Sequence, residues 1–445
     1  MRDGPTTYCS PVIREQEEPN LPLPVSLAFA TWALFVGLAV LLVGVGLFST
    51  IVSVASDLNG YATSVIGAIA AAYYGGCLAG SKLTLWALAR VGHIRVYAAL
   101  ASVLSATMIT VGLTDSSVTW IVIRFASGIC IGGLYVVAES WLNQLASNAN
   151  RGRLLGIYLL VTSGAYGVGQ LLIGQFDPQR LTGFAIAALL TSLAVVPVAL
   201  SEDARPPTLE QTAWISVRGL AKVVPTGVGT VLLVGLTHSA FLSLAAVYGA
   251  RSGLSNSEVG PFVAITAVGG VLLQWPLSSA SDQLDRRYVG AVAAIGAIGA
   301  SVFLLLAGPE GWQGLLAMTL IGGMTLPLYS IAAAYTNDWV EPEHVSAAAS
   351  QLILLYGAGA LVGPLAMSLA MTWMGNDGYV WSLISMHAAI VAFLIYRLVA
   401  WRAPLARTTW REASFSTRAF FIPANVVWMS RRLGDKGRRV IRARR

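Results

Sequence analysis

Arg124 and Glu139 interrupt an otherwise apolar run, residues 118–143, and are the first side chains to which chemistry can be assigned. A charge at the centre of a membrane helix costs roughly 2.5–3.5 kcal/mol on insertion scales, so such residues turn toward protein or water and carry function. On one helix the two would lie about 22 Å apart, on roughly one face. Glu139, toward one end, is a candidate proton or cation site, because a carboxylate whose solvation changes with conformation changes its hold on a proton. An ion pair with Arg151 or Arg153 just beyond is the alternative. Arg124 is a candidate for proton coupling or for a solute cavity, against an anchor that snorkels to the nearer surface. His238, within Leu236-Thr237-His238-Ser239, is a third candidate for binding or proton handling, against a hydrogen-bonded core histidine. Tyr73, Tyr135, Gln170, Gln274, Tyr329 and Tyr356 could supply aromatic walls and polar handles, and each could equally be packing.

Other chemistries find no footing. No convincing G-x-x-x-x-G-K-[ST] phosphate loop or H-E-x-x-H pair occurs, so ATP-driven transport and zinc hydrolysis are not expected. Cys9, Cys77 and Cys130 stand singly, as buried small hydrophobes do. Neither a catalytic carboxylate pair nor a histidine cluster at one depth points to an intramembrane enzyme. No cofactor and no metal are expected.

The elements that must position these residues follow from composition. Of 445 residues 56% are hydrophobic and 11% charged, with a mean hydropathy of +0.69. A soluble domain carries about a quarter charged residues, so a soluble enzyme, a nucleic-acid-binding domain and a disordered chain are excluded. A membrane span needs about 20 mostly apolar residues. Twelve such runs are found, at 28–52, 63–87, 96–114, 118–143, 154–175, 182–200, 224–249, 257–281, 288–308, 312–337, 348–372 and 379–400. All should be helices, since lipid offers no partner to irregular backbone. Residues 1–27 are polar and carry no cleavable leader, so the first span is expected to be retained. Basic residues follow the even-numbered spans: Arg90 and Arg95, Arg151 and Arg153, Arg205, Arg218 and Lys222, Arg286 and Arg287. Lys and Arg accumulate in short cytoplasmic loops, which puts both termini inside.

The polar stretch 201–223 divides the chain into an N-terminal six-helix bundle, 28–200, and a C-terminal one, 224–400. An offset of 194 residues aligns Gly75-Gly76 with Gly269-Gly270, Gly128 with Gly322, Leu134-Tyr135 with Leu328-Tyr329, Asn143 with Asn337 and Gly169 with Gly363. Two parallel six-helix repeats joined by a cytoplasmic linker resemble the major facilitator superfamily of secondary transporters, over about residues 28–400. Its loop motif G-x-x-x-D-R-x-G-R-R keeps Arg90, Gly92 and Arg95 in the first half, with Leu85 and Ala89 in place of Gly and Asp. The second copy keeps Asp282, Arg286 and Arg287. The resemblance implies a latch of these loops on one conformation. Topology alone is the other account of the arginines. Because Ala89 cannot pair and Asp282 can, the second copy is expected to be the stronger latch. Arg124 and Gly128 match the superfamily's helix-4 pattern R-x-x-x-G, whose arginine is implicated in proton transfer in proton-coupled members. The string Gly133-Leu134-Tyr135, Glu139-Ser140-Trp141-Leu142-Asn143, then Arg151-Gly152-Arg153, is similar to the YcaD-like branch of bacterial facilitators. The proline-bearing element of drug/proton antiporters in helix 5 has no proline here, ending instead in Gln170.

The basic excess belongs to one segment. Residues 401–445 hold 12 basic and 2 acidic side chains, and the remaining 400 hold 16 and 19. This tail alternates aromatic and arginine patches, which suits an anchor on the anionic inner leaflet rather than nucleic acid. The expectation is therefore an all-α, twelve-helix protein of the cytoplasmic membrane, monomeric, without nucleic-acid partner. It would move a small neutral, weakly cationic or amphipathic solute by alternating access. Proton-coupled efflux is one form of that; an importer of the same fold, or a non-transporting sensor or lipid-handling scaffold, are the alternatives.

Overall fold

The computed structural model describes residues 25–146, 151–201, 215–341 and 344–400. The basic tail 401–445, the N-terminal segment 1–24 and most of the linker lie outside the described residues. Helices α1 (Val25–Leu58), α2 (Thr63–Val91), α3 (His93–Gly112), α4 (Ser117–Leu145), α5 (Arg151–Leu171), α6 (Leu181–Leu193) and α7 (Val195–Ala199) form the first half. After the short α8 (Val217–Val223) come α9 (Pro225–Arg251), α10 (Asn256–Gln283), α11 (Arg286–Ala307), α12 (Gly311–Thr325), α13 (Leu328–Asn337), α14 (Val345–Met374) and α15 (Gly378–Ala400). They make twelve crossings, with α6–α7 and α12–α13 each sharing one. The long apolar stretch Ala347–Ala400 turns once, at Gly375.

The observed helices match the expected spans within a few residues, apart from the first, which runs on to Leu58. The linker also ends in structure that the polarity of 201–223 did not suggest. The Ser216 hydroxyl accepts the Gly219 N–H at 3.0 Å, and Leu220 is fully buried, so one apolar turn docks α8 on the second half. The tenth crossing breaks at Pro327, which has no N–H to continue the ladder.

The two halves repeat the same crossings. α2 packs on α4 as α10 packs on α12, and α1 on α5 as α9 on α14. Glycines allow the close approach: a Cβ on Gly128 would meet the Tyr73 carbonyl, and one on Gly322 would meet the Thr266 carbonyl. Between the halves, α2 meets α14, α5 meets α10 and α1 meets α9. One face of the molecule carries the end of α1 and of α9, with Asp57 and Arg251; the opposite face carries Asp282.

Candidate functional site

A cavity lies between the bundles, with a void of about 810 Å³ counted with its opening. α1 contributes Ser49, Ser53 and Ser56, at a spacing that puts three hydroxyls on one helix face. α2 supplies Tyr73 and Tyr74, α4 supplies Arg124, and α5 supplies Ser163, Tyr166 and Gln170; Ser243 and Thr266 come from the second half. Arg124 is 6% exposed, and its guanidinium sits 4.5 Å from the Tyr73 ring centroid and 5.2 Å from that of Phe48. The glycine crossing of α2 and α4 makes the Tyr73 contact, because Gly76 and Gly128 bring the two backbones together beside it. The side chain therefore faces protein and cavity instead of snorkelling.

Tyr74 also lines a second void of about 460 Å³ toward the Asp282 face, together with Tyr135, Tyr356, Cys77, Ser81 and Gly357. Tyr74 and Tyr73 pack edge to face at 5.2 Å. Tyr74 is thus a wall common to both voids.

The remaining candidates divide. Tyr73, Arg124 and Gln170 meet in the first cavity; Tyr135 and Tyr356 line the second void. Tyr329 packs edge-on against Tyr356 at 5.4 Å and lines neither. Gln274 is buried away from both voids, its amide donating to Ser278 Oγ at 3.0 Å and Ser330 Oγ at 2.8 Å. His238 is fully buried, with Nε2 at 2.8 Å from the Thr325 carbonyl and Nδ1 at 3.4 Å from the Tyr356 hydroxyl. His387, which the sequence did not single out, binds the Thr325 hydroxyl at 2.9 Å. Thr325 at the break of the tenth crossing is held between two core imidazoles. Glu139 is 3% exposed and bonds the Tyr158 hydroxyl, another residue that spacing did not flag. The side chains of Arg151 and Arg153 lie outside the described residues.

The loop motifs differ as their sequences do. Arg90 is exposed and stacks 3.9 Å over the Trp86 ring, Gly92 turns the chain at φ +83°, and Arg95 is exposed. Lys82 is also exposed. In the second copy Arg286 is 3.1 Å from Asp282 and 2.7 Å from Asp338, joining α10, α11 and the end of α13. Arg287 pairs with Asp285 at 2.7 Å and donates to the Arg397 carbonyl at 2.9 Å. This clamp works within the second bundle.

The opposite face is fastened across the bundles. Arg251 Nε donates to Asp57 Oδ1 at 2.7 Å, its Nη2 lies 2.6 Å from the same oxygen, and its Nη1 donates to Thr63 Oγ1 at 3.1 Å. Ser53 Oγ also lies 3.3 Å from the Ser243 carbonyl, which shares the hydroxyl proton with the Ser49 carbonyl at 3.0 Å. Gly174 on the first half abuts Ser257 on the second. Asp57 and Arg251 are themselves related by the 194-residue offset, a signal that could have marked the pair in sequence.

The family model described as Major Facilitator Superfamily matches residues 34–324 and 228–433. The chain belongs to the major facilitator superfamily. Facilitators of this family are multi-pass secondary transporters, not enzymes. Among curated relatives, the uncharacterized MFS-type transporter YcaD of Escherichia coli O6:K15:H31 is 26% identical over 334 residues, 74% of this chain and 85% of its own length. Among solved structures, a bacterial homologue of the human lysosomal transporter Spinster, inward-facing and unoccupied, superposes with a TM-score of 0.66 at 14% identity, covering 83% of this chain and 95% of that one. The nucleoside transporter NupG does so with a TM-score of 0.67 at 12% identity, covering 82% and 97%. At such identity the two structures share the facilitator fold with this chain. Among the described residues no group of His, Cys, Asp and Glu is arranged to hold a metal ion.

Proposed function

We propose that this facilitator exports a small solute across the cytoplasmic membrane by alternating access, in exchange for protons carried by Glu139. The solute occupies the Arg124 cavity, and the state described here is closed at the Asp57 face. By the distribution of basic loops that face is the outer one and both termini are cytoplasmic. The observation that supports the reading is the cavity itself: both bundles line it, and Arg251 and Asp57, one from each bundle, pair beside Ser56 at its rim. A void formed by two rigid bodies changes its access when they rock, which is what alternating access requires. Glu139, buried beside Tyr158, changes its hold on a proton when rocking changes its solvation. The Asp282–Arg286–Asp338 clamp stiffens the cytoplasmic end of the second bundle, and the tail 401–445 rests on the anionic inner leaflet. The protein acts as a monomer.

Flux in everted vesicles with an acidic lumen tests this, using a solute chosen by thermal-shift screening of the purified protein. The wild type should accumulate solute and lose that accumulation when the gradient is collapsed. Glu139→Gln should exchange solute at a rate independent of pH. A variant that keeps the wild-type pH profile removes Glu139 from the coupling.

A further inference from the structure

Arg124 is the one charged side chain lining the cavity among the described residues. A guanidinium stays protonated at any physiological pH, and burying it without a counter-charge is costly. The ionisable groups that face it are Tyr73, Tyr74, Tyr166 and Cys77, none of them a carboxylate. Its Nε is buried without a hydrogen-bond partner. The rings of Tyr73 and Phe48 offer it cation–π contact, but a ring face cannot take the directed N–H bonds of a planar fork. Around this one cation the cavity supplies neutral polar groups, the hydroxyls of Ser49, Ser53, Ser56, Ser163, Ser243 and Thr266 and the amide of Gln170, and the rest of the wall is apolar or aromatic.

We propose that the cavity binds a solute bearing a single negative charge, a carboxylate docked on Arg124, with a flat apolar body along Tyr73 and Tyr166. The scarcity of charge in the spans favours a neutral or weakly cationic cargo. The placement of Arg124 reverses that, because the charge of the site is positive and uncompensated. One cation, with no second in the lining, sets the solute charge at one. Di- and tricarboxylates would leave a buried carboxylate with neutral groups only and no second cation. The proposal deepens the transport reading and rests on the cavity being the solute site.

The test is equilibrium binding to the full-length protein in detergent, which requires no turnover and so separates this proposal from the direction and coupling of transport. The probes are two sets matched in body and different in head: benzoate, benzamide and benzylamine; butyrate, butyramide and butylamine. At neutral pH the carboxylates should raise the thermal midpoint, benzoate more than butyrate, and the amides and amines should leave it unchanged. Arg124→Lys should weaken benzoate binding, and Arg124→Gln should weaken it by at least about tenfold. Arg124→Met should raise the midpoint of the ligand-free protein, since it removes an unpaired buried charge; a purely structural arginine would lower it on removal. Amides or amines that stabilise as well as the carboxylates overturn the proposal. So do carboxylates that give no shift, or a shift that chloride reproduces. The comparison of head groups on the wild type decides the matter even where a variant does not fold.

Discussion

Arg124 and His238 looked alike in sequence, each an ionisable side chain inside an apolar run. Surroundings separate them. His238 has both ring nitrogens within reach of a partner, at Thr325 and Tyr356, which is the arrangement of a satisfied core imidazole. Arg124 has an unpartnered Nε and a void in front of it. The cavity serines went unmarked because hydroxyls in helices bond their own backbone, as Ser53 does with the Ser49 carbonyl at 3.0 Å, and composition cannot tell those facing a void. Outside the spans, Asp285 caps α11. Partial burial pushes its carboxyl up, yet the hydrogen bonds from the Arg287 side chain and backbone N–H outweigh this and hold it below the usual carboxylate range. A depressed carboxylate adds stability that is present above its unfolded pKa and lost as pH falls through the folded one. Asp285→Asn should therefore lower the unfolding free energy at neutral pH by under about 1 kcal/mol, because the side chain is 37% exposed, and lower the thermal midpoint with it. Melts repeated at lower pH should bring variant and wild type together.

At the scale of helices, the glycine crossings decide what the residues can do. Gly128 lies on the Tyr73 carbonyl and Gly76 on the Phe125 carbonyl, so α2 and α4 touch backbone to backbone where Arg124 meets Tyr73. Gly128→Val should cost about 1–3 kcal/mol in unfolding free energy as the helices are forced apart. Ligand binding should fall with it, because Arg124 is carried off the Tyr73 ring. Gly164→Ala is the control: nothing lies within 4 Å of its Cβ, and alanine is the better helix former, so stability should hold or rise by about 0.5–1 kcal/mol. Equal losses in both variants would show that close approach is not what these glycines serve. Helix existence was legible from apolar length alone. So was the break at Gly375, which falls in the gap between the runs 348–372 and 379–400; the break at Pro327 was not, since it lies inside the run 312–337, whose hydropathy continues.

For the whole molecule, the Asp57–Arg251 pair joins the two bundles at the face opposite the Asp282 clamp. Their side chains are 18% and 25% exposed, so the pair is partly desolvated and worth more than a surface bridge. In the rocking that alternating access requires, opening that face must break it. Asp57→Asn and Arg251→Gln should each shift the population toward opening there, and a double-mutant cycle should show coupling of about 0.5–3 kcal/mol. Reactivity of a cysteine placed at Ser53 toward a membrane-impermeant reagent reads that population. Additive effects of the two substitutions would mean that the pair holds no conformation.

What the amino-acid sequence determined by itself is the part governed by lipid: twelve apolar crossings, all helical, in two halves related by 194 residues. Backbone in hydrocarbon has no other solution, and small residues at fixed spacing record which helices touch. What tertiary structure decided is which scarce polar groups are satisfied and which are not. His238 and the amide nitrogen of Gln274 found partners in their own bundle, Arg124 was left facing a void, and Asp57 found Arg251 across the interface. Partnership depends on side chains brought together from distant helices. One chain read in order gives the type and depth of each polar group, and only the packed bundles show what stands opposite it.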